Sequence, residues 1–188
     1  MNGVNRGIFR LLPVFLLLFL GVSSCSQKEE RRILVIHSYE ETYAAYPEFN
    51  RMIAEQFKKE KIDADIRTVY LDCESYWEEP ELERMRFLVD SVSRDWRPEV
   101  ILVNEDQATY SLMKCGIQLA KEVPVVFGGV NYPNWGLLKH HPNVTGFHDK
   151  IAFNENISVA KELFGEHVRL FTMLDTTYID RQIRRDAK

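Results

Sequence analysis

Four short polar clusters hold the residue types with most chemistry to offer: His37-Ser38-Tyr39-Glu40, Asp72-Cys73-Glu74, Asn104-Glu105-Asp106 and Gly128-Gly129-Val130-Asn131-Tyr132. Each follows an apolar run. Ser38, His37 and Asp72 have the types of a nucleophilic triad, but no G-x-S-x-G elbow surrounds Ser38, so the reading drawn here is not enzymatic. The same residues form a kit for fixing a polar solute. Ser38 and Tyr39 bring hydroxyls, Asp72, Glu105 and Asp106 carboxylates, Gly129 an accessible backbone N–H and Asn131 an amide. Three acids near one rim suit a ligand with a cationic or donor-rich part. Asp106 fits a cap on a helix starting near Gln107 as well as it fits a ligand contact. Gly128-Gly129 fits a tight turn as well as a backbone cradle. The aromatic series Tyr39, Tyr43 and Tyr46 fits ordinary packing as well as the wall of a small-molecule site.

Other signals point to neither metal nor cofactor. The adjacent His140-His141 pair faces two directions in most backbone conformations, and no carboxylate or cysteine stands within a few residues of it. Residues 37–47 lack the glycines of a dinucleotide site, and no string matches a P-loop. A phosphoacceptor receiver needs an acidic pair after its first strand; here the pair, Glu105-Asp106, follows the third. Cys73 and Cys115 are too few for a disulfide framework: one bridge or two buried thiols both fit. Asn143-Val144-Thr145 matches a glycosylation sequon.

Alternating strands and helices must position these clusters. Ile33–Ile36 is a continuous apolar run, as in a strand buried on both faces. Phe49, Met52, Ile53 and Phe57 predict a helix over 46–59, and 65–71 is strand-like. Pro80 suits the first turn of a helix opening at 78–81, whose stripe runs Leu82, Met85, Val89, Val92, Trp96. Strands are expected at 100–103, 123–127 (ended by Gly128-Gly129) and 144–148, and helices at 107–121 and 153–164. A last strand is expected at 168–174, then a helix from Thr177 whose apolar edge, Ile179 and Ile183, has no evident cover. This alternation predicts an α/β fold, an open parallel sheet with helices on both faces. In such sheets the loops after the strands gather at one carboxyl edge, where ligands bind.

The N-terminus carries an address. Arg6 and Arg10 precede an apolar run, Leu11 to Leu20, that is too short to span a bilayer. Val22-Ser23-Ser24-Cys25 resembles the lipobox of bacterial lipoproteins, which implies cleavage after residue 24, lipid on Cys25 and attachment to a membrane. Residues 1–24 are thus expected to be a leader and 25–32 a tether. The chain holds 24 Lys and Arg against 28 Asp and Glu, a net charge of −4. Loss of Arg6 and Arg10 makes it more acidic, which excludes the basic footprint of a nucleic-acid binder.

The strings Ile-Leu-Val-Ile-His-Ser-Tyr (33–39), Tyr70-Leu71-Asp72, Val103-Asn104-Glu105-Asp106-Gln107-Ala108 and Pro124-Val125-Val126-Phe127-Gly128-Gly129-Val130-Asn131 resemble the substrate-binding proteins of ABC transporters with the type I periplasmic-binding fold. Similar regions serve as extracytoplasmic sensors of bacterial histidine kinases and hybrid two-component proteins. Leu174-Asp175-Thr176-Thr177 looks like the opening of that family's second lobe. The resemblance implies a ligand-binding lobe over 33–150, and over 151–188 a crossover and a second lobe that begins and is cut off. It implies a small-molecule ligand, which the gathering of loops at the carboxyl edge places at Ser38, Tyr39, Asp72, Glu105, Asp106, Gly129 and Asn131. The partner would be an ABC permease or a histidine kinase, and the place the cell envelope, in the periplasm or at the outer membrane. The rival reading is a single-lobe interaction protein of the envelope that binds no solute.

Overall fold

The computed structural model describes residues 30–76, 79–149, 151–169 and 171–186. The expected leader, Cys25 and the tether as far as residue 29 lie outside the described residues. The elements run β1 (Arg31–His37), α1 (Tyr46–Lys59), β2 (Ala64–Tyr70), α2 (Glu79–Ser93), β3 (Val100–Asn104), α3 (Asp106–Lys114), α4 (Leu119–Glu122), β4 (Val125–Val130), α5 (Trp135–Leu138), β5 (Val144–His148), α6 (Phe153–Phe164) and α7 (Tyr178–Asp186).

The strands form one open, all-parallel sheet in the order β2-β1-β3-β4-β5. The apolar run of β1 explains its central place. Ile33 to His37 are buried, and Ile33 sits opposite Ile66 on one side and Val100 on the other. Helices cover the sheet through the stripes that the sequence displays. Met85 and Val89 of α2 are fully buried, and Ala108 and Leu112 of α3 join them with Leu34, Ile36, Ile101 and Val125 in one core. Burying a side chain of this size contributes roughly 1.5–3 kcal/mol, so the core, not helix propensity, holds α2 and α3 in place.

Five differences from the sequence-based expectations have local causes. The sheet starts at Arg31, so the last two residues assigned to the tether are the exposed start of β1. The helix expected over 107–121 is two helices, because the chain turns out of α3 at Cys115-Gly116 before α4 begins. Gly128-Gly129 does not end β4; the strand runs on to Val130 through an irregular register between Phe127 and Val130. A short helix, α5, was not expected: the Asn134 side chain caps it by accepting from the Leu137 N–H at 3.1 Å. No described residue of 168–174 is in a strand. A strand requires a partner ladder, and that segment has none; Phe171 and Met173 stand 91% and 98% exposed.

Candidate functional site

The strand order reverses direction at β1 and β3: the chain leaves β1 for β2 on one side and leaves β3 for β4 on the other. At such a switch point the following loops diverge and leave a crevice at the carboxyl edge. Of the seven residues named from the sequence, Ser38, Tyr39, Glu105, Asp106, Gly129 and Asn131 are linked around the ends of β1, β3 and β4, directly or through Asn104, Ala108 and Tyr46, while Asp72 stands in the turn after β2.

Ser38 is fully buried. Its hydroxyl donates to the Asn104 carbonyl at 2.9 Å and accepts from the Ala108 N–H at 2.9 Å, so it laces the end of β1 to β3 and to the first turn of α3. Those partners are backbone groups, and His37 is not among them. His37 instead stacks on Tyr46 with ring centroids 3.9 Å apart and pairs through Nε2 with Asn50 Oδ1 at 2.8 Å. Burial lowers its pKa, with the Asn50 hydrogen bond opposing. The triad that residue types allowed is therefore not assembled.

Asp106 is also fully buried. It is the first residue of α3, and its carboxylate accepts from the backbone N–H of Asn131 at 2.8 Å and of Tyr132 at 3.1 Å. It holds the loop after β4, a role distinct from both a cap on its own helix and a free ligand contact. Burial raises its pKa, and these two N–H donors oppose the rise. Asn131 completes the loop by donating its side-chain amide to the Gly129 carbonyl at 3.2 Å.

Glu105 occupies the crevice itself. Its backbone has φ 73° and ψ 171°, a region that residues with a Cβ avoid and that costs of order 1–3 kcal/mol. Its N–H donates to the Gly128 carbonyl at 2.7 Å, tying β3 to β4. The carboxylate accepts from the Tyr46 hydroxyl at 2.8 Å, and the same hydroxyl accepts from the Tyr39 N–H at 2.9 Å. Burial raises the Glu105 pKa, with Tyr46 and Ser38 opposing. Gly129, at φ 65°, lies close above: a Cβ there would stand 3.1 Å from Asn104 Oδ1. Tyr39 stacks on Tyr43 at 4.8 Å, and Tyr43 lies 4.9 Å from Tyr46, so the tyrosine series is a packed cluster with Tyr43 at its exposed end. Asp72 sits in a turn at φ 56°, its carbonyl accepting from Ser75 and Tyr76. Cys73 and Cys115 are buried free thiols. The sequon residue Asn143 donates its side-chain amide to the carbonyls of Ala120 and Val123, which fixes the start of β5.

Beside the crevice lies a cavity of about 500 Å3 between α2, α3 and the segment leading into α7. Its wall includes Glu81, Gln107, Ser111, Lys114, Tyr178 and Arg181, and none of the seven residues named from the sequence. One signal could have found it. Gln107, Ser111 and Lys114 recur at helical spacing on a helix that is otherwise deeply buried, and polar groups on a buried face need a reason. Ser111 donates to Glu81, whose pKa is raised by burial against the opposing effects of Ser111 and Lys114.

No protein-family model matches the chain, and no curated protein does. Among solved structures, the chain is similar to the ligand-free, open structure of CD0873, a substrate binding protein with adhesive properties from Clostridium difficile, at a TM-score of 0.51 and 13% sequence identity. The likeness covers 84% of this chain and 52% of that one, so the chain spans about half the length of that protein. What the two share at this identity is the fold.

Proposed function

We propose that this chain is a lipid-anchored, extracytoplasmic solute-binding or sensor protein that takes a small molecule at the carboxyl edge of its sheet. The observation that carries the reading is the β1/β3 switch point, where polar loops gather around Glu105 on a rigid sheet. The likeness in fold to a substrate-binding protein supports it. Within the predicted set, Tyr39, Asp72, Glu105, Gly129 and Asn131 face the ligand; Ser38 and Asp106 position them from beneath. Residues 33–150 make the first lobe and 151–188 the crossover toward a second, in the manner of the type I periplasmic-binding fold. Closure of two lobes on the solute is then read by an ABC permease or a histidine kinase. Lipid on Cys25 holds the protein to a membrane of the cell envelope.

A thermal-shift screen of polar metabolites tests the binding role. A subset of cationic or donor-rich solutes is expected to raise the melting temperature, and Asp72→Ala to abolish that rise. Solutes that bind Asp72→Ala and Tyr39→Ala as well as wild type would remove the site from this edge. Palmitate labelling that is absent from the wild type, or that survives Cys25→Ala, would remove the anchor. A second reading, an interaction protein of the envelope, draws on the exposed apolar side chains Phe147, Phe164, Phe171 and Met173 and on the adhesive properties of the structural neighbour. A screen that yields no solute favours it.

A further inference from the structure

The charges of the fold are sorted by sheet edge. All five strands run parallel, so the segments that lead into them gather at the amino edge and those that follow them at the carboxyl edge. The leading segments, 30–32, 58–63, 94–99, 121–124 and 139–143, hold nine Lys and Arg against six Asp and Glu. The segments after the first four strands, 38–45, 71–76, 105–106 and 131–134, hold six Asp and Glu and no Lys or Arg. A chain whose net charge is −4 thus keeps acids alone in those loops and an excess of bases at the opposite edge. Helix dipoles explain part of the sorting: Lys58 and Lys59 close α1, and Asp106 opens α3. They do not explain Lys61, Glu40, Glu41, Asp72 or Glu74, which lie outside any helix. At the amino edge Arg31 and Arg32 pair with Glu99, and Arg97 pairs with Glu122. Lys58, Lys59, Lys61, Arg94, Lys121 and Lys139 are exposed and make no ion pair among the described residues. Lys58 and Lys61 also line a shallow groove of about 340 Å3 with Phe57, Ile62 and Ile66, basic and apolar groups side by side.

We infer that the amino edge is the face this protein lays against an anionic lipid surface, with Lys58, Lys61 and Lys139 meeting headgroup phosphates and the carboxyl edge turned away. The inference rests on the lipid anchor at Cys25 and adds an orientation to it. The β1 strand begins at the amino edge, and only residues 26–30 separate Cys25 from Arg31. A stretch of that length spans at most about 20 Å, so lipid on Cys25 holds this edge near the headgroups. The strands set the acids about 20 Å beyond it. That exceeds the Debye length of about 8 Å at physiological ionic strength, so the acids do not repel the surface. Each lysine close to an anionic bilayer favours docking about fivefold. The crevice at Glu105 then opens toward solution and away from the lipid.

The test is fluorescence quenching on the full chain, lipidated in a bacterial host and reconstituted into two kinds of vesicle: phosphatidylcholine alone, and phosphatidylcholine with phosphatidylglycerol. Both carry a lipid spin-labelled at its headgroup. A fluorophore is placed at Glu60→Cys on the amino edge or at Glu41→Cys on the carboxyl edge; Cys73 and Cys115 are buried and stay unlabelled. The amino-edge label is expected to be quenched more on the anionic vesicles. In about 1 M salt, where the Debye length is about 3 Å, that difference should vanish. The carboxyl-edge label is expected to be quenched weakly on both. Lys58→Gln with Lys61→Gln should lower the ratio of docked to undocked protein about 25-fold. Arg184→Gln with Arg185→Gln, an equal loss of charge on α7, should leave it unchanged. Circular dichroism melts confirm folding, and a lysine pair that does not fold is replaced by Lys121→Gln with Lys139→Gln, for which the same loss is expected. Equal quenching on both vesicles, a difference that survives salt, or one that the lysine variant keeps overturns the inference. So does stronger quenching of the carboxyl-edge label. Those outcomes leave the anchor standing where the wild type takes palmitate and floats with phosphatidylcholine vesicles. A wild type that takes no palmitate and floats only with the anionic vesicles removes the anchor and keeps the basic face; one that floats with neither removes both.

Discussion

Glu105 concentrates three costs at one position: a backbone in a region that side chains avoid, a carboxylate out of water, and a neighbouring acid, Asp106. The Tyr46 hydroxyl and Ser38 offset part of them. The balance is visible in pH. Burial holds the folded Glu105 carboxyl above its ordinary value of 4.5, so over the window above that value the folded chain binds a proton that the unfolded chain has lost. Its contribution to stability is therefore present below the unfolded value and is lost as pH rises through the folded one. Glu105→Gln removes the titration. Relative to wild type, the variant should be more stable at pH 7 than it is at pH 4, in urea unfolding followed by circular dichroism. The same difference at both pH values would mean that the fold does not raise the Glu105 pKa. The residue types at this edge were legible in the sequence; their partners were not. Nothing in a serine or an aspartate announces that its neighbour will be a backbone N–H from the far side of a sheet, and so Ser38 and Asp106 read as ligand contacts when their polar atoms build the frame.

Elements were legible where a single local pattern decided them. The helix over 46–59 ends where the apolar spacing ends, and β1 follows its apolar run. Elements decided by a neighbour were not. The β4 strand passes through two glycines because β3 on one side and β5 on the other hold it. The β5 strand in turn depends on close approach. A Cβ at Gly146 would fall inside the carbonyl and ring of Phe127 on β4, and because the obstacle includes backbone, no rotamer change relieves it. Gly146→Ala should cost about 1–3 kcal/mol or more and should do so by detaching β5. Hydrogen exchange is expected to show lost protection over 144–148 with β1 and β3 unchanged. Protection kept across β5 would mean that the two strands take up the added Cβ without unpairing.

At the scale of the molecule, the sheet and its helices form one body, and the open question is what the last segment does. From sequence, the helix expected from Thr177 has an uncovered apolar edge; in the structure α7 has nine residues, and helices that short are marginal in water. The structure supplies an anchor that no local pattern encodes, because it joins three loops and helices far apart in the chain. The Tyr178 ring meets Tyr110 of α3 edge-on, with centroids 4.9 Å apart. Both hydroxyls donate to the Tyr132 carbonyl, at 2.9 Å from Tyr178 and 2.6 Å from Tyr110. Tyr132 is itself fixed through its N–H by Asp106. The candidate crevice, the cavity beside it and α7 are thus linked through one carbonyl. An edge-to-face pair and one hydrogen bond together contribute about 1–3 kcal/mol, which corresponds to a roughly fivefold to 150-fold slowing of exchange. Amides over 180–186 should therefore exchange more slowly than those of the exposed stretch 171–176. Tyr178→Ala should bring them to the same rate while leaving β1 and β3 untouched, and it should open the cavity wall. Exchange over 180–186 as fast in wild type as in an unstructured peptide would mean that α7 does not rest on α3, and the cavity would lose its third wall.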